Sequence, residues 1–436
     1  MKKYIFFVVG VMCTLLSHTA YAIDLNKSDA NIIGHVLEKK TGEHLPYMTV
    51  ALKGTTIGTM TDGTGHYFLK NLPEGEFTLS VSAVGYKPQE RKVTLKRGKT
   101  LEENFELEED MVALDGVVVT ANRNETARRL APTLVKVVTP KLFDMTNSHT
   151  LSQGLVFQPG VRVENDCQNC GYSQVRINGM DGKYTQILID SRPIFSALAG
   201  VYGLEQIPAN MIERVEVVRG GGSALFGSSA IAGTVNIITK EPLRNSGSFA
   251  HSISNFDGSG SFDNNTTLNL SLVSSDNKMG AYIYGQNRHR SAWDSNGDGF
   301  SELPKLKNQT VGINAYYRLN PYSKLNLEYH HMEEFRRGGN RFDLPPHIAE
   351  DANLNGSGKP GLVEQIEHSI NTGGLKFSAF SKDQKHSFNA YASAQHIVRD
   401  SYYSAYGHTT DFTGVLGAQY IYHFDKLFFM PSDLTG

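Results

Sequence analysis

Apolar and polar residues alternate strictly over many stretches of this chain, and the alternation predicts strands. Phe77, Leu79, Val81 and Ala83 share one face of a short run, while Thr78, Ser80 and Ser82 take the other, as a half-buried strand requires. Beyond residue 243 the runs lengthen to about ten residues. Thr266, Leu268, Leu270 and Leu272 there oppose Thr267, Asn269 and Ser271; Val311, Ile313, Ala315, Tyr317 and Leu319 oppose Gly312, Asn314, Tyr316 and Arg318. An apolar face opposite a polar one, with tyrosines near the strand ends, is what a membrane-spanning β-barrel needs. About eight such strands are predicted, near 247–256, 265–274, 278–289, 308–319, 323–334, 367–379, 386–399 and 411–425. After residue 22 no uninterrupted apolar stretch reaches about 18 residues, which excludes an ordinary transmembrane helix.

Turn residues cut the earlier part into shorter pieces. Gly42, Gly54, Asp62-Gly63, Gly65, Pro73-Glu74-Gly75 and Gly85 punctuate residues 30–110, predicting a small all-β domain. Within it TDGTGHYFLKNLPEGEFTLSVSAVGYKP (61–88) resembles the carboxypeptidase-regulatory-like β-sandwich found ahead of outer-membrane receptors in the Bacteroidetes. Residues 204–240 read as a strand (Ile212 to Val218), a glycine turn (Gly220 to Gly222) and a second β-branched strand (Thr234 to Thr239). This pattern resembles the closing half of the plug domain of TonB-dependent outer-membrane receptors. LSQGLVFQPGVRV (151–163), VRING (175–179) and QILIDSRP (186–193) are similar to the first half of that plug.

The resemblance implies a mainly β chain: a sandwich over 30–110, a linker over 111–121, an α+β plug over 122–242, and over 243–436 the first strands of a transmembrane barrel. Barrels of this kind that hold a plug have about 22 strands, whereas eight strands are nearly filled by their own side chains. With Asp433-Leu434-Thr435-Gly436 at the end, in place of a closing aromatic strand, the chain is expected to be the amino-terminal part of a longer receptor.

Leu114, Asp115, Gly116, Val117, Val118, Val119, Thr120 and Ala121 follow an acidic stretch and form a β-prone segment between two folded units. Such a segment can add itself as a strand to another protein's sheet edge. By resemblance it is the TonB box, through which TonB and its inner-membrane energising complex would pull on the plug.

Two plug loops are expected to face outward by the same resemblance. Gln168, Asn169 and Tyr172 in the first, and Arg192, Phe195 and Tyr202 in the second, are the expected ligand contacts, a mixture suited to an amphipathic ligand. Cys167 and Cys170 lie in the first loop; in an oxidising compartment they read as a disulfide, or alternatively as a pair contacting a soft metal or haem. The family commonly has Ile-Arg-Gly where this chain has Ile177-Asn178-Gly179. Its arginine locks plug to barrel in relatives, so Arg176 or Arg219 is expected to take that part here.

Residues 1–22 open with Lys2 and Lys3, continue apolar to Leu16 and close on Ala20-Tyr21-Ala22, the pattern of a secretory signal peptide. Removing it turns the formal net charge of −2 into −4, too mild to imply nucleic acid. Asp294, Asn296, Asp298 and Glu302 stand at positions 1, 3, 5 and 9 of a calcium-loop pattern, with Lys305 where its last ligand belongs. Calcium and a plain Asx-and-glycine turn are the two readings of that loop; no other cofactor is expected. His331 and Glu334 have a zinc-like spacing, but a polar strand end explains them, and no nucleophile, base and orienter come together.

The chain is therefore expected to be no enzyme. It is expected in the outer membrane, contacting lipid, with the sandwich and TonB box on the periplasmic side. Its expected activity is TonB-dependent import of a scarce large solute, with a metal chelate such as a ferric siderophore, haem or cobalamin favoured. The alternative is the binding component of a glycan or peptide uptake complex working with a surface lipoprotein.

Overall fold

The computed structural model describes residues 30–83, 85–109, 117–118, 126–127, 135–167, 172–192, 208–220, 226, 228–383, 385–427 and 430–435. The expected leader at residues 1–22 lies outside them.

The first unit is a sandwich of two sheets. One contains β1 (Ala30–Glu38), β4 (His66–Leu72), β7 (Thr100–Glu102) and β8 (Phe105–Leu107), with β1 central; the other runs β3 (Gly58–Met60), β2 (Thr49–Leu52), β5 (Gly75–Ser82), β6 (Gln89–Leu95). The expected face of β5 is the inner one: Phe77, Leu79 and Val81 are buried with Ile32, Val36, Val50, Leu69 and Phe105. Ala83 packs at the edge of this core.

Next comes a short pair, β9 (Val117–Val118) against β10 (Thr126–Ala127). The following unit mixes strands with short helices, as expected of an α+β plug. Its central sheet runs β11 (Val135–Val138), β15 (Ile212–Arg219), β16 (Gly233–Thr239), β14 (Thr185–Ile189). α1 (Pro140–Met145) and α2 (Leu151–Leu155) lead into the hairpin β12 (Val161–Cys167) and β13 (Tyr172–Ile177). β15 and β16 are antiparallel neighbours, while β14 runs parallel to β16. A strand covered on both faces reads as a continuous apolar run, which is why Val215, Val217, Val218, Val235 and Ile237 are all buried.

The last unit is one antiparallel sheet in chain order: β17 (Ser246–Asn255), β18 (Phe262–Val273), β19 (Met279–Arg290), β20 (Lys305–Asn320), β21 (Ser323–Gly339), β22 (Val363–Phe380), β23 (His386–Tyr403), β24 (Tyr406–Leu427), β25 (Met430–Thr435). Eight correspond to the expected strands and several run longer; β25 is a ninth that the alternation did not reveal. Leu268, Leu270, Leu272, Val311, Tyr317 and Leu319 are exposed on the outer face, whereas Asn265, Ser271, Tyr316 and Arg318 are buried on the inner one. The two-residue period thus separates a lipid-type surface from a polar lumen-type surface.

Four tyrosines of this sheet lie across from glycines on neighbouring strands among the described residues: Tyr284 opposite Gly312, Tyr316 opposite Gly280, Tyr329 opposite Gly373 and Tyr391 opposite Gly417. A β-carbon on Gly312 would come within 2.2 Å of the Tyr284 ring, so the ring occupies the space that a side chain there would fill. The sandwich meets this sheet at the β20–β21 turn. Arg318 Nε donates to the Thr56 carbonyl (2.7 Å) and the Thr56 amide donates to the Pro321 carbonyl (2.8 Å). The guanidinium of Arg244 lies 4.4 Å over the ring of Tyr47.

Candidate functional site

Where the plug meets the curved sheet, a tight turn aims one arginine at the wall. β14 ends at Ile189 and the chain reverses through Asp190 and Ser191, both with positive φ (47° and 66°). Arg192 N donates to Ile189 O (2.9 Å) and Ile189 N donates to Arg192 O (3.1 Å). Two left-handed central residues define the type I′ turn, and aspartate tolerates that conformation better than most side chains. The neighbouring strand β16 holds the turn in place. Thr239 donates to Asp190 from its amide (3.0 Å) and its hydroxyl (2.8 Å), while buried Asn236 accepts from the Ser191 amide (2.9 Å) and donates to its hydroxyl (3.0 Å).

So held, Arg192 is 4% exposed and pairs with Glu328 of β21. Asp190 lies 3.7 Å away on the plug side, and Lys376 of β22 acts on both carboxylates from the wall. Two acids and two bases therefore oppose one another in a largely buried interface, as buried charges must. Glycine makes the room: Gly374 is the cross-strand partner of Glu328, and a β-carbon there would meet Glu328 Oε1 at 2.5 Å and Arg192 Nη1 at 2.8 Å.

Other contacts extend the seam. Asn210 Nδ2 donates to Asn269 Oδ1 (2.8 Å) and Tyr282 OH donates to the Asn210 carbonyl (2.8 Å). Ser252 Oγ and His149 Nε2 are hydrogen-bonded at 3.2 Å. Tyr282 and Tyr284 of β19 belong to the same buried cluster as Leu151, Ile189, Met211 and Ile237 of the plug. A cavity of about 10 Å³ between Ile189, Thr239, Glu328 and His330 has room for roughly one water.

These positions correct the sequence reading. Arg192, expected to meet anionic groups of a ligand, is instead buried against the wall, because the I′ turn folds it back from the plug sheet. Arg176 and Arg219, expected as plug–wall contacts, face the plug itself. Arg176 pairs with Glu164 across the β12–β13 hairpin, and the guanidinium of Arg219 lies against Gly160.

Of the remaining expected contacts, Cys167 and Tyr172 are opposite one another at the end of the β12–β13 hairpin. Gln168, Asn169, Cys170, Phe195 and Tyr202 lie outside the described residues, as do Leu114, Asp115, Gly116, Val119, Thr120 and Ala121. Val117 and Val118 form β9 and pair within the chain.

In the β19–β20 loop Asp294, Asp298 and Glu302 bring carboxylate oxygens within 4.8 Å of one another. Asn296, the fourth expected ligand, instead donates to Asp298 (3.1 Å). Asp294 accepts from the amides of Gly297 (2.7 Å) and Gly299 (2.8 Å), and Asp298 accepts from that of Phe300 (2.9 Å), the arrangement of an Asx turn. His331 and Glu334 are three apart on β21 and project to opposite faces of the sheet, which removes the zinc reading of that spacing.

Comparison with known proteins agrees with this architecture. Residues 32–119 match the CarboxypepD_reg-like domain and residues 127–234 the TonB-dependent Receptor Plug Domain. The vitamin B12 transporter BtuB of Vibrio vulnificus is 35% identical over 176 residues, a match covering 38% of this chain and 28% of that protein. BtuB of Photobacterium profundum is 37% identical over 128 residues, covering 29% of this chain and 20% of the relative. The chain thus spans well under a third of the length of these curated relatives. Among solved structures, the siderophore receptor PirA from Acinetobacter baumannii superposes with a TM-score of 0.57 at 20% identity, over 70% of this chain and 48% of that one. The ferric citrate transporter FecA gives a TM-score of 0.53 at 16% identity, over 66% of this chain and 44% of that one. A plug clamped to the inner face of an antiparallel wall, behind a small sandwich, is thus the arrangement that this chain shares with TonB-dependent receptors, and residues 127–234 match the plug domain of that family.

Proposed function

We propose that this chain is the plug-bearing part of an outer-membrane importer that takes up a metal chelate, in the class of ferric siderophores, haem or cobalamin, under the pull of TonB. The observation that carries the reading is the Arg192–Glu328 contact. It joins plug to wall through a small set of charges, which favours a plug that can be displaced as a unit.

On this reading residues 30–110 form a periplasmic sandwich, 111–121 the linker with the TonB box, 122–242 the plug and 243–436 the lipid-facing wall. The box spans Leu114 to Ala121, and β-strand addition to TonB is its mode of engagement. The strand β9, already paired within the chain, supports the capacity of this segment to extend. Gln168, Asn169, Tyr172, Phe195 and Tyr202 are the proposed ligand contacts, and Arg192 is reassigned from ligand contact to lock. Cys167 and Cys170 are proposed as a disulfide that stiffens the first loop. No step of the reading requires covalent chemistry.

Deletion of Leu114–Ala121 in the full-length receptor tests it. Uptake of the chelate should be lost while its binding to cells persists. Uptake that survives the deletion removes the TonB-driven reading. Growth on defined sole sources of iron or cobalamin then decides the substrate, and a strain lacking the gene that grows normally on all of them removes the chelate class.

A further inference from the structure

Three imidazoles from separate parts of the sandwich converge on one outer face. His35 lies on β1 and its cross-strand partner on β4 is His66. Leu37, two residues beyond His35 and on the same face, is bridged to His44 on the returning chain. Directly paired residues share a face of a sheet, so register alone puts all three histidines on one side. That side faces away from the core, in which Ile32 and Val36 are buried.

The ring centres are separated by 5.3 Å (His35–His44), 5.8 Å (His35–His66) and 5.0 Å (His44–His66). Three imidazoles bound to one tetrahedral ion, with metal–nitrogen distances of about 2.0–2.1 Å, have their ring centres about 5 Å apart. The observed triangle is therefore the size that one ion demands. The ring nitrogens do not yet converge, and rotation about χ2, a broad torsion for histidine, would turn them inward. Among the described residues the rings of His35 and His44 form no hydrogen bond that this rotation would break.

Two further features suit the cluster to a metal. His66 Nδ1 is 3.1 Å from the hydroxyl of Thr64, which donates to Asp62 Oδ1 at 2.7 Å. A hydroxyl committed to the carboxylate accepts from the imidazole, so the Nδ1 of His66 carries the proton and its Nε2 keeps the lone pair. Metal-ligating histidines are oriented by such outer partners. Gly65, with a φ of 77°, holds the chain against His44, where a β-carbon would come within 2.8 Å of the His44 β-carbon. Any other residue there would push His44 away from His66.

We propose that His35, His44 and His66 form a site for a divalent transition metal ion of the zinc, copper or nickel type. Neutral imidazoles favour these ions over calcium or magnesium. The ion would tie β1, the loop before β2 and the start of β4 together on the sandwich surface. The proposal does not depend on what the receptor imports.

The test uses the detergent-solubilised chain without a polyhistidine tag, stripped with chelator and titrated with Co²⁺ at pH 7.5. One equivalent should bind and produce visible d–d absorption. His44→Gln and His66→Gln, both at exposed positions, should abolish the band while leaving the far-UV circular dichroism unchanged. Thr64→Val, which removes only the outer partner, should weaken binding by about 10- to 100-fold. Absence of one-equivalent binding overturns the proposal. So does a band that survives both histidine variants, or one removed instead by Asp298→Asn, which would place the ion in the 294–302 loop.

Discussion

Removing the guanidinium of Arg192 should loosen the plug by an amount that its surroundings set. The side chains of Arg192 and Glu328 are 5% and 16% exposed, so Arg192→Ala strands a carboxylate in a nearly dry interface. Breaking a buried pair from one side costs about 3–5 kcal/mol. Contact here runs from Arg192 Nη2 to Glu328 Oε2 alone, while Arg192 Nε and Glu328 Oε1 have no hydrogen-bond partner among the described residues. Lys376 also stays to compensate Glu328 in part. Both facts favour the lower end, about 3 kcal/mol, or a factor of roughly 100 in the docking equilibrium at 1.4 kcal/mol per decade. Hydrogen exchange at the amides of β14 and β16 reads that equilibrium directly, since local opening sets their protection. Arg192→Ala should speed exchange in these strands by about two orders of magnitude and leave the sandwich unchanged. The Arg192→Ala/Glu328→Ala double variant should be less perturbed than the sum of the single variants, with a coupling of at least about 1 kcal/mol. Unchanged exchange in Arg192→Ala, or strict additivity, would refute the lock.

Further outcomes follow from individual contacts. Gly312→Ala forces a methyl into the Tyr284 ring, whereas the nearest atom to a β-carbon at Gly285 is 3.8 Å away; the first should lower stability by about 1–3 kcal/mol and the second by much less, measured as unfolding temperatures in one detergent. Asp62 accepts from the hydroxyl and amide of Thr64 and the amide of His66, which hold its carboxyl below the usual carboxylate range. Its contribution to stability is then complete above the unfolded value of about 3.9 and is lost as pH falls through the lower folded value. Thermal melts between pH 5 and 2.5 should show this loss in the wild type and less of it in Asp62→Asn; parallel curves would count against the assignment. Calcium at Asp294, Asp298 and Glu302 should protect the loop from protease and chelator should reverse it, while identical digestion under both conditions leaves only the Asx turn.

Much of this fold is written locally. The period of two in Leu268, Leu270 and Leu272, or in Val311, Ile313 and Ala315, assigns each strand its outer face before any partner is known, because side chains must alternate across a strand. The β-branched runs of β15 and β16 were likewise legible, as only such residues fill a sheet covered on both sides. β25 was missed because Met430 to Thr435 contains a proline and no clear alternation.

The site was far less legible. Arg192 and Glu328 are 136 positions apart, and a lone arginine in a polar loop carries no sign of its partner. The one local hint was Asp190-Ser191 after an apolar strand, a dipeptide suited to a tight turn. The three histidines of the sandwich carried no signal in their spacing either, since a strand pairing and a bridge bring them together. Sequence by itself determined the strands, their two faces and the family resemblance, because these depend on neighbours two to ten residues away. Tertiary structure alone decided which arginine meets the wall and which imidazoles meet one another, because charge pairing and metal-type geometry depend on distances that only strand register and plug docking set.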